Sequence, residues 1–166
     1  MDYYLLADMT VQIGYELAVA GAETYRVEET MRRVIEAYGT EGQVFAIPNC
    51  VAVSFVTPNT KPLTIMKRVG YHGNDLERIE KLNALSRRIC AEVPDPETAQ
   101  RWLKETTAAV RSYAVWTYYL GNFMAAAGFC CVFGGTVRDW LWAGLSGLII
   151  GFVTRCMDCL LYTSPS

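Results

Sequence analysis

The 166 residues carry 15 lysines and arginines against 17 acids, a formal net charge of −2. That balance leaves no basic stripe of the kind that neutralises phosphates, and so excludes the usual nucleic-acid binder. The length fits about one domain on a prior of ~100–200 residues each, yet the charge is unevenly laid: dense from Asp2 to Arg111, absent over the 26 residues Ser112–Val137 and again over the 15 residues Trp140–Thr154. A bilayer crossing needs ~20 apolar residues, more than a soluble core helix usually sustains. The pattern predicts a water-soluble domain over 1–110 and a membrane part over 111–157.

The start, Met1-Asp2-Tyr3-Tyr4, bears an acid where a signal peptide carries lysines, and the apolar residues after it are periodic, not continuous. The first domain is therefore expected in the cytosol, with the six cysteines as free thiols. Cys156-x-x-Cys159 has a redox or metal spacing but no partner pair. No metal and no cofactor is expected.

Leu6, Met9, Ile13, Leu17 and Ala20 repeat at helical spacing, which predicts an amphipathic helix over about 3–20 stopped by Gly21. A second helix, about 24–38, has Val27, Met31, Val34, Ile35 and Tyr38 as its apolar stripe and ends at Gly39. The period then changes. Gln43–Ile47, Val51–Thr57 and Leu63–Val69 read as strands separated by Pro48-Asn49 and Pro58–Pro62, a three-stranded antiparallel meander whose core face is Val51, Val53 and Phe55. The helix pair is the natural cover for that face.

Asn74 or Asp75 can cap a third helix with Leu76, Ile79, Leu82, Leu85 and Ile89 buried. Asp95-Pro96-Glu97 opens a fourth, running to about Ala108. The fold class is thus an α+β cytosolic domain (helix pair, meander, two helices) followed by an α-helical transmembrane hairpin, with spans at about 113–133 and 138–156.

Tyr113, Trp116, Tyr118 and Tyr119 lie at the start of the first span, and Trp140 and Trp142 lie just past its end, the two levels at which aromatic belts form. Arg101, Lys104 and Arg111 precede the first span and Arg155 follows the second, against Arg138 alone between them. The positive-inside rule then places both ends in the cytoplasm.

Ala143, Gly147 and Gly151 in the second span, and Gly121, Ala125 and Gly128 in the first, offer small-residue grooves for helix packing, either within the hairpin or in a larger bundle. Three polar residues are candidates for a transport path: Asn122, Arg138 and Asp139. A span of 15 residues reaches only ~22 Å, which argues for burying the pair in hydrocarbon. An insertion cost of ~2.5–3.5 kcal/mol each argues for the outer loop.

Gly21-Ala22-Glu23-Thr24-Tyr25-Arg26-Val27-Glu28-Glu29-Thr30-Met31 resembles the signature of the threonine/serine exporter (ThrE) family. Further matches are Gly39, Asn74-Asp75-Leu76 through Leu82-Asn83-x-Leu85 with Arg87, and Phe133-Gly134-Gly135-x-x-x-Asp139. Together they run from about residue 5 to 157. The resemblance implies a transporter of the bacterial inner membrane exporting small hydroxy amino acids, or a dicarboxylate as in some split relatives. It also implies about five spans, completed in split forms by a second small membrane subunit. Here the expectation is a chain truncated after two spans, in which 158–166 is a foreign tail continuing no helix. The expected partners are the lipid bilayer, that second subunit or further copies of the chain, and a small-molecule substrate.

Glu23, Thr24, Arg26 and Glu28 cluster at the start of the second helix, either as helix-terminus electrostatics and an ion pair or as a docking turn. His72, the one histidine, is either solvated or a pH sensor. One histidine, no HExxH, no P-loop and no GxGxxG leave little for an enzyme. The rival to a transporter subunit is nonetheless a tethered hydrolase or sensor domain, with the hairpin as its anchor.

Overall fold

A computed structural model describes residues 2–56, 62–110 and 113–162, with the side chains of 158, 161 and 162 left aside. The expected Pro58–Lys61 turn, Arg111 and the last four residues lie outside them. The chain divides into two compact units, Met1–Val110 and Arg111–Ser166.

The first unit runs α1 (Tyr3–Val19), α2 (Thr24–Ala37), β1 (Gly42–Ile47), β2 (Cys50–Val56), β3 (Pro62–Arg68), α3 (Leu76–Glu92) and α4 (Pro96–Ala108). The sheet is antiparallel in the order β1-β2-β3, with Ile47 opposite Cys50 across the Pro48-Asn49 turn and Val53 opposite both Val44 and Ile65. Val51, Val53 and Phe55 are buried as their alternation requires.

Helix α1 departs from its reading as an amphipathic helix. Leu6, Met9, Ile13 and Leu17 are buried, but so are Ala7, Thr10, Val11, Gly14, Glu16 and Ala18. The reason is its place: α1 touches β2, β3, α2, α3 and α4, so it is the axis of the unit and not its outer layer. Small residues and Thr10, whose hydroxyl donates to the Leu6 carbonyl at 2.8 Å, let neighbours close in on every side.

Its one buried acid is paired. Glu16 meets Arg78 from α3 and accepts from the Gln12 amide at 2.8 Å, while Lys67 reaches Gln12 from β3 and sits 4.1 Å over the Tyr15 ring.

Capping follows the sequence closely. Asp2, Asp75 and Asp95 accept from the first-turn amides of α1, α3 and α4. In α3, Leu82, Leu85 and Ile89 are buried, but Leu76 is 73% exposed because it is the first residue of the helix and has no neighbour to cover it. Helix α3 ends on Val93 with φ 43°, a left-handed conformation that a β-branched residue adopts only under strain.

The second unit is α5 (Val115–Val132) and α6 (Val137–Tyr162), packed along each other. Both are long and apolar enough to cross a membrane. At ~1.5 Å per residue they measure about 27 and 39 Å. Helix α6 continues through residues 159–162, where the sequence reading broke it: nothing in Cys159-Leu160-Leu161-Tyr162 is a helix breaker. The helix as a whole is longer than the 15 uncharged residues Trp140–Thr154, and its membrane-length window, Val137–Met157, takes in Arg138 and Asp139 in its first turn.

Candidate functional site

The polar residues singled out in the hairpin have separate surroundings. Asp139 ties Thr136 to the start of α6: the Thr136 amide donates to Asp139 Oδ2 at 2.8 Å, its hydroxyl donates to the same oxygen at 2.7 Å, and the Thr136 carbonyl accepts the first helix bond from the Trp140 amide at 3.0 Å. Arg138, one residue earlier, is exposed and has no ion pair among the described residues. Asp139 and Arg138 are therefore not a salt bridge, despite their adjacency.

Asn122 lies in the seam between the helices. Its amide donates to the Tyr118 carbonyl at 2.9 Å. Among the described residues of α6 the buried positions are Gly144, Gly147 and Gly151, spaced three and four apart on one face. A methyl group on Gly151 would touch the Asn122 amide at 3.2 Å; on Gly147 it would collide with the Asn122 backbone carbonyl, and on Gly144 with the Phe123 ring. The glycine face expected from Gly147 and Gly151 is thus used within the hairpin, with Gly144 as its third member while Ala143 is half-buried. In α5 the expected face is not the one in contact. Gly121 and Gly128 have open space where a side chain would stand, and Ala125 is exposed.

In the first unit the Gly21 turn is a closed end. Gly21 has φ +89° and occupies the position just past the cap of α1; its amide donates to the Ala18 carbonyl at 3.1 Å and the Ala22 amide to the Leu17 carbonyl at 3.0 Å. The last two carbonyls are met by a distant loop: Gly73 donates to Val19 at 2.7 Å and Asp75 to Ala20 at 2.9 Å. All four orphan acceptors of the helix end are satisfied. His72 sits in that loop with Nδ1 3.3 Å from the Ala18 carbonyl. Sequence reading placed His72 and Gly21 separately, since nothing local in either stretch announces the other.

The cluster after the turn is divided. Glu28 reaches away from the helix end and accepts from the Ala46 amide of edge strand β1 at 2.8 Å, joining α2 to the sheet. Glu23 precedes α2 without a side-chain capping bond, and Thr24 beside it is exposed. Arg26 Nε lies 3.4 Å from Glu23 and 3.3 Å from the Tyr25 hydroxyl, both pairs in solvent. The Tyr25 hydroxyl and, behind it, Glu23 raise the Arg26 pKa above its ordinary value, so the guanidinium stays charged at any physiological pH.

At the other end of α2, the Tyr38 hydroxyl donates to the Pro94 carbonyl at 2.6 Å, and burial, with Asp95 and Cys90 near, pushes its pKa up to about 12. Among the described residues no three His, Cys, Asp or Glu side chains gather to hold a metal ion.

The family described as "Putative threonine/serine exporter" (ThrE) matches residues 8–162. A "Probable threonine/serine exporter" of Mycobacterium tuberculosis is 26% identical over 150 residues, 89% of this chain and 28% of the relative. "Pheromone-regulated membrane protein 10" of Eremothecium gossypii and of Saccharomyces cerevisiae are 25% and 26% identical, over 85% and 81% of this chain and 18% of each relative. The chain thus spans less than a third of the length of the curated relatives it matches. No solved structure matches it. With a family match running over nearly all of both units, the chain belongs to the threonine/serine exporter (ThrE) family.

Proposed function

We propose that this chain supplies the soluble domain and two membrane helices of a secondary transporter, and that the assembled protein exports small polar organic solutes, threonine or serine foremost and a dicarboxylate as the alternative. The observation that carries the reading is the hairpin's inverted packing. No residue of Val115–Val132 is buried, and Leu120, Met124, Phe129, Leu141, Ile149 and Phe152 are all exposed. Apolar area of that extent needs lipid or further helices against it.

Two helices enclose no path, so the pore requires more spans, from the rest of a longer chain, a second small subunit or further copies. In such a bundle Arg138, exposed and unpaired, would attract a carboxylate. Asn122 would offer its free amide oxygen to an ammonium or hydroxyl group, and Asp139 would hold the α6 terminus in place. The soluble unit is expected on the cytoplasmic side of a bacterial inner membrane, and a proton gradient would drive export. Efflux of labelled threonine from vesicles holding the full-length protein tests this: collapse of the proton gradient should abolish it. Efflux that is indifferent to the gradient would refute the mechanism.

A further inference from the structure

Helices α2 and α3 leave an open groove of about 750 Å3 between them, within the range of ~300–1,000 Å3 typical of small-molecule sites. Tyr25, Arg26, Thr30 and Arg33 line it from α2, Asn83 and Arg87 from α3. Two of the stretches that carry the family resemblance, fifty residues apart, therefore meet on one cavity.

The charges on its walls are unequally engaged. Of the two acids, Glu29 is taken by Arg32 and by Arg33, the latter at 2.7 Å. Glu36, further along α2, is exposed and has no ion pair among the described residues, leaving three arginines against two carboxylates on the walls. Arg26 has only loose, solvent-exposed contacts, with Glu23 at 3.4 Å and the neighbouring Tyr25 hydroxyl at 3.3 Å. Among the described residues the Arg87 guanidinium and the Asn83 side-chain amide make no hydrogen bond or ion pair. Asn83 and Arg87 stand one helical turn apart on the same face of α3, where side chains four residues apart are neighbours. A planar guanidinium next to an amide donor, with a second arginine on the facing wall, matches the two oxygens of a carboxylate.

We propose that this groove binds a small organic carboxylate, held by Arg87 and Asn83 with Arg26 opposite. The proposal rests on the export reading, in that the ligand would be the exported solute or its analogue met on the water side. It adds a soluble-domain site distinct from any membrane path.

The test is calorimetric titration of the full chain in lipid nanodiscs with L-threonine, succinate and inorganic phosphate, at low salt. Threonine or succinate should bind saturably. Arg87→Gln should weaken binding roughly 10- to 100-fold, the loss expected for a charge-assisted pair. Asn83→Ala should weaken it less. Arg68→Gln, on the exposed side of the sheet, should leave it unchanged. Arg87 is exposed, so its variant should keep the wild-type circular dichroism.

No saturable binding of either carboxylate, or equal affinity in a folded Arg87→Gln chain, overturns the site. Phosphate binding as tightly as the carboxylates overturns the ligand class. Proton-driven threonine efflux by the full-length protein, alongside an empty groove, would sink this site and leave the transport reading standing; a filled groove without efflux would do the reverse.

Discussion

In the first unit the side chains sealed from solvent are Leu6, Met9, Ile13, Leu17, Met31, Ile35, Leu82 and Ile89, large apolar groups closing on one another around α1. In the second, the buried positions of α6 among the described residues are three glycines, and the large apolar groups stand outside. Water drives the first arrangement, because each buried Leu or Ile side chain contributes about 1.5–3 kcal/mol when removed from it. Lipid removes that drive, since it is as apolar as the side chains, and leaves close van der Waals contact between backbones to hold helices together. A glycine therefore means different things in the two units. Gly14 of α1 faces the soft end of the Met31 side chain, whereas Gly147 of α6 faces the Asn122 backbone carbonyl.

The largest expected effect is in the soluble core. Leu82→Ala should destabilise the first unit by about 2–5 kcal/mol, read by chemical denaturation of the full chain in nanodiscs, and leave the helix pair intact. Glu16→Ala should cost about 2–3 kcal/mol, below the full value for a buried pair because Arg78 retains partial solvent access. Lys67 and Gln12 would then shift with it.

The glycine contrast comes next. Gly147→Ala should weaken α5–α6 cross-linking between engineered cysteines, by about 1–3 kcal/mol of overpacking. Gly14→Ala should cost less, because a methionine tail re-packs where a backbone carbonyl does not. Equal penalties at the two positions would erase the distinction.

Relief of strain is smaller and opposite in sign. Val93→Gly should stabilise the first unit by about 1 kcal/mol, by removing a β-branched side chain from a left-handed position. The smallest effect is a pH dependence. Tyr38 is held neutral, so its contribution is intact below pH 10 and falls as pH rises from 10 toward 12, where the folded state also ionises. Tyr38→Phe should flatten that alkaline limb of the stability profile.

What the sequence revealed depended on how local the cause was. Caps, periods and turn residues act within a few positions. Asp75, Asp95, Gly21 and the Pro48-Asn49 turn were therefore legible, and the elements they bound came out within a residue or two. The burial of α1 on every side was not legible, because it comes from what five other elements do around it.

The candidate site divides in the same way. The Glu28–Ala46 bond, the Gly73 and Asp75 caps on α1, and the groove that Arg26 shares with Asn83 and Arg87 join positions from eighteen to about sixty residues apart. No spacing rule finds them. The Thr136–Asp139 cap was within reach, three residues apart, and was missed because Asp139 was weighed with Arg138 as a transport-path candidate and not as a helix cap.

Depth profiling measures the inversion most directly. Spin labels placed singly from 118 to 132 and from 140 to 155 in nanodiscs would compare collision with oxygen, which concentrates in hydrocarbon, and with a water-soluble nickel complex. A lipid-embedded hairpin predicts high oxygen and low nickel collision at Met124, Phe129, Leu145 and Ile149, with minima of both at Gly144, Gly147 and Gly151. Uniform nickel access along either helix would contradict it.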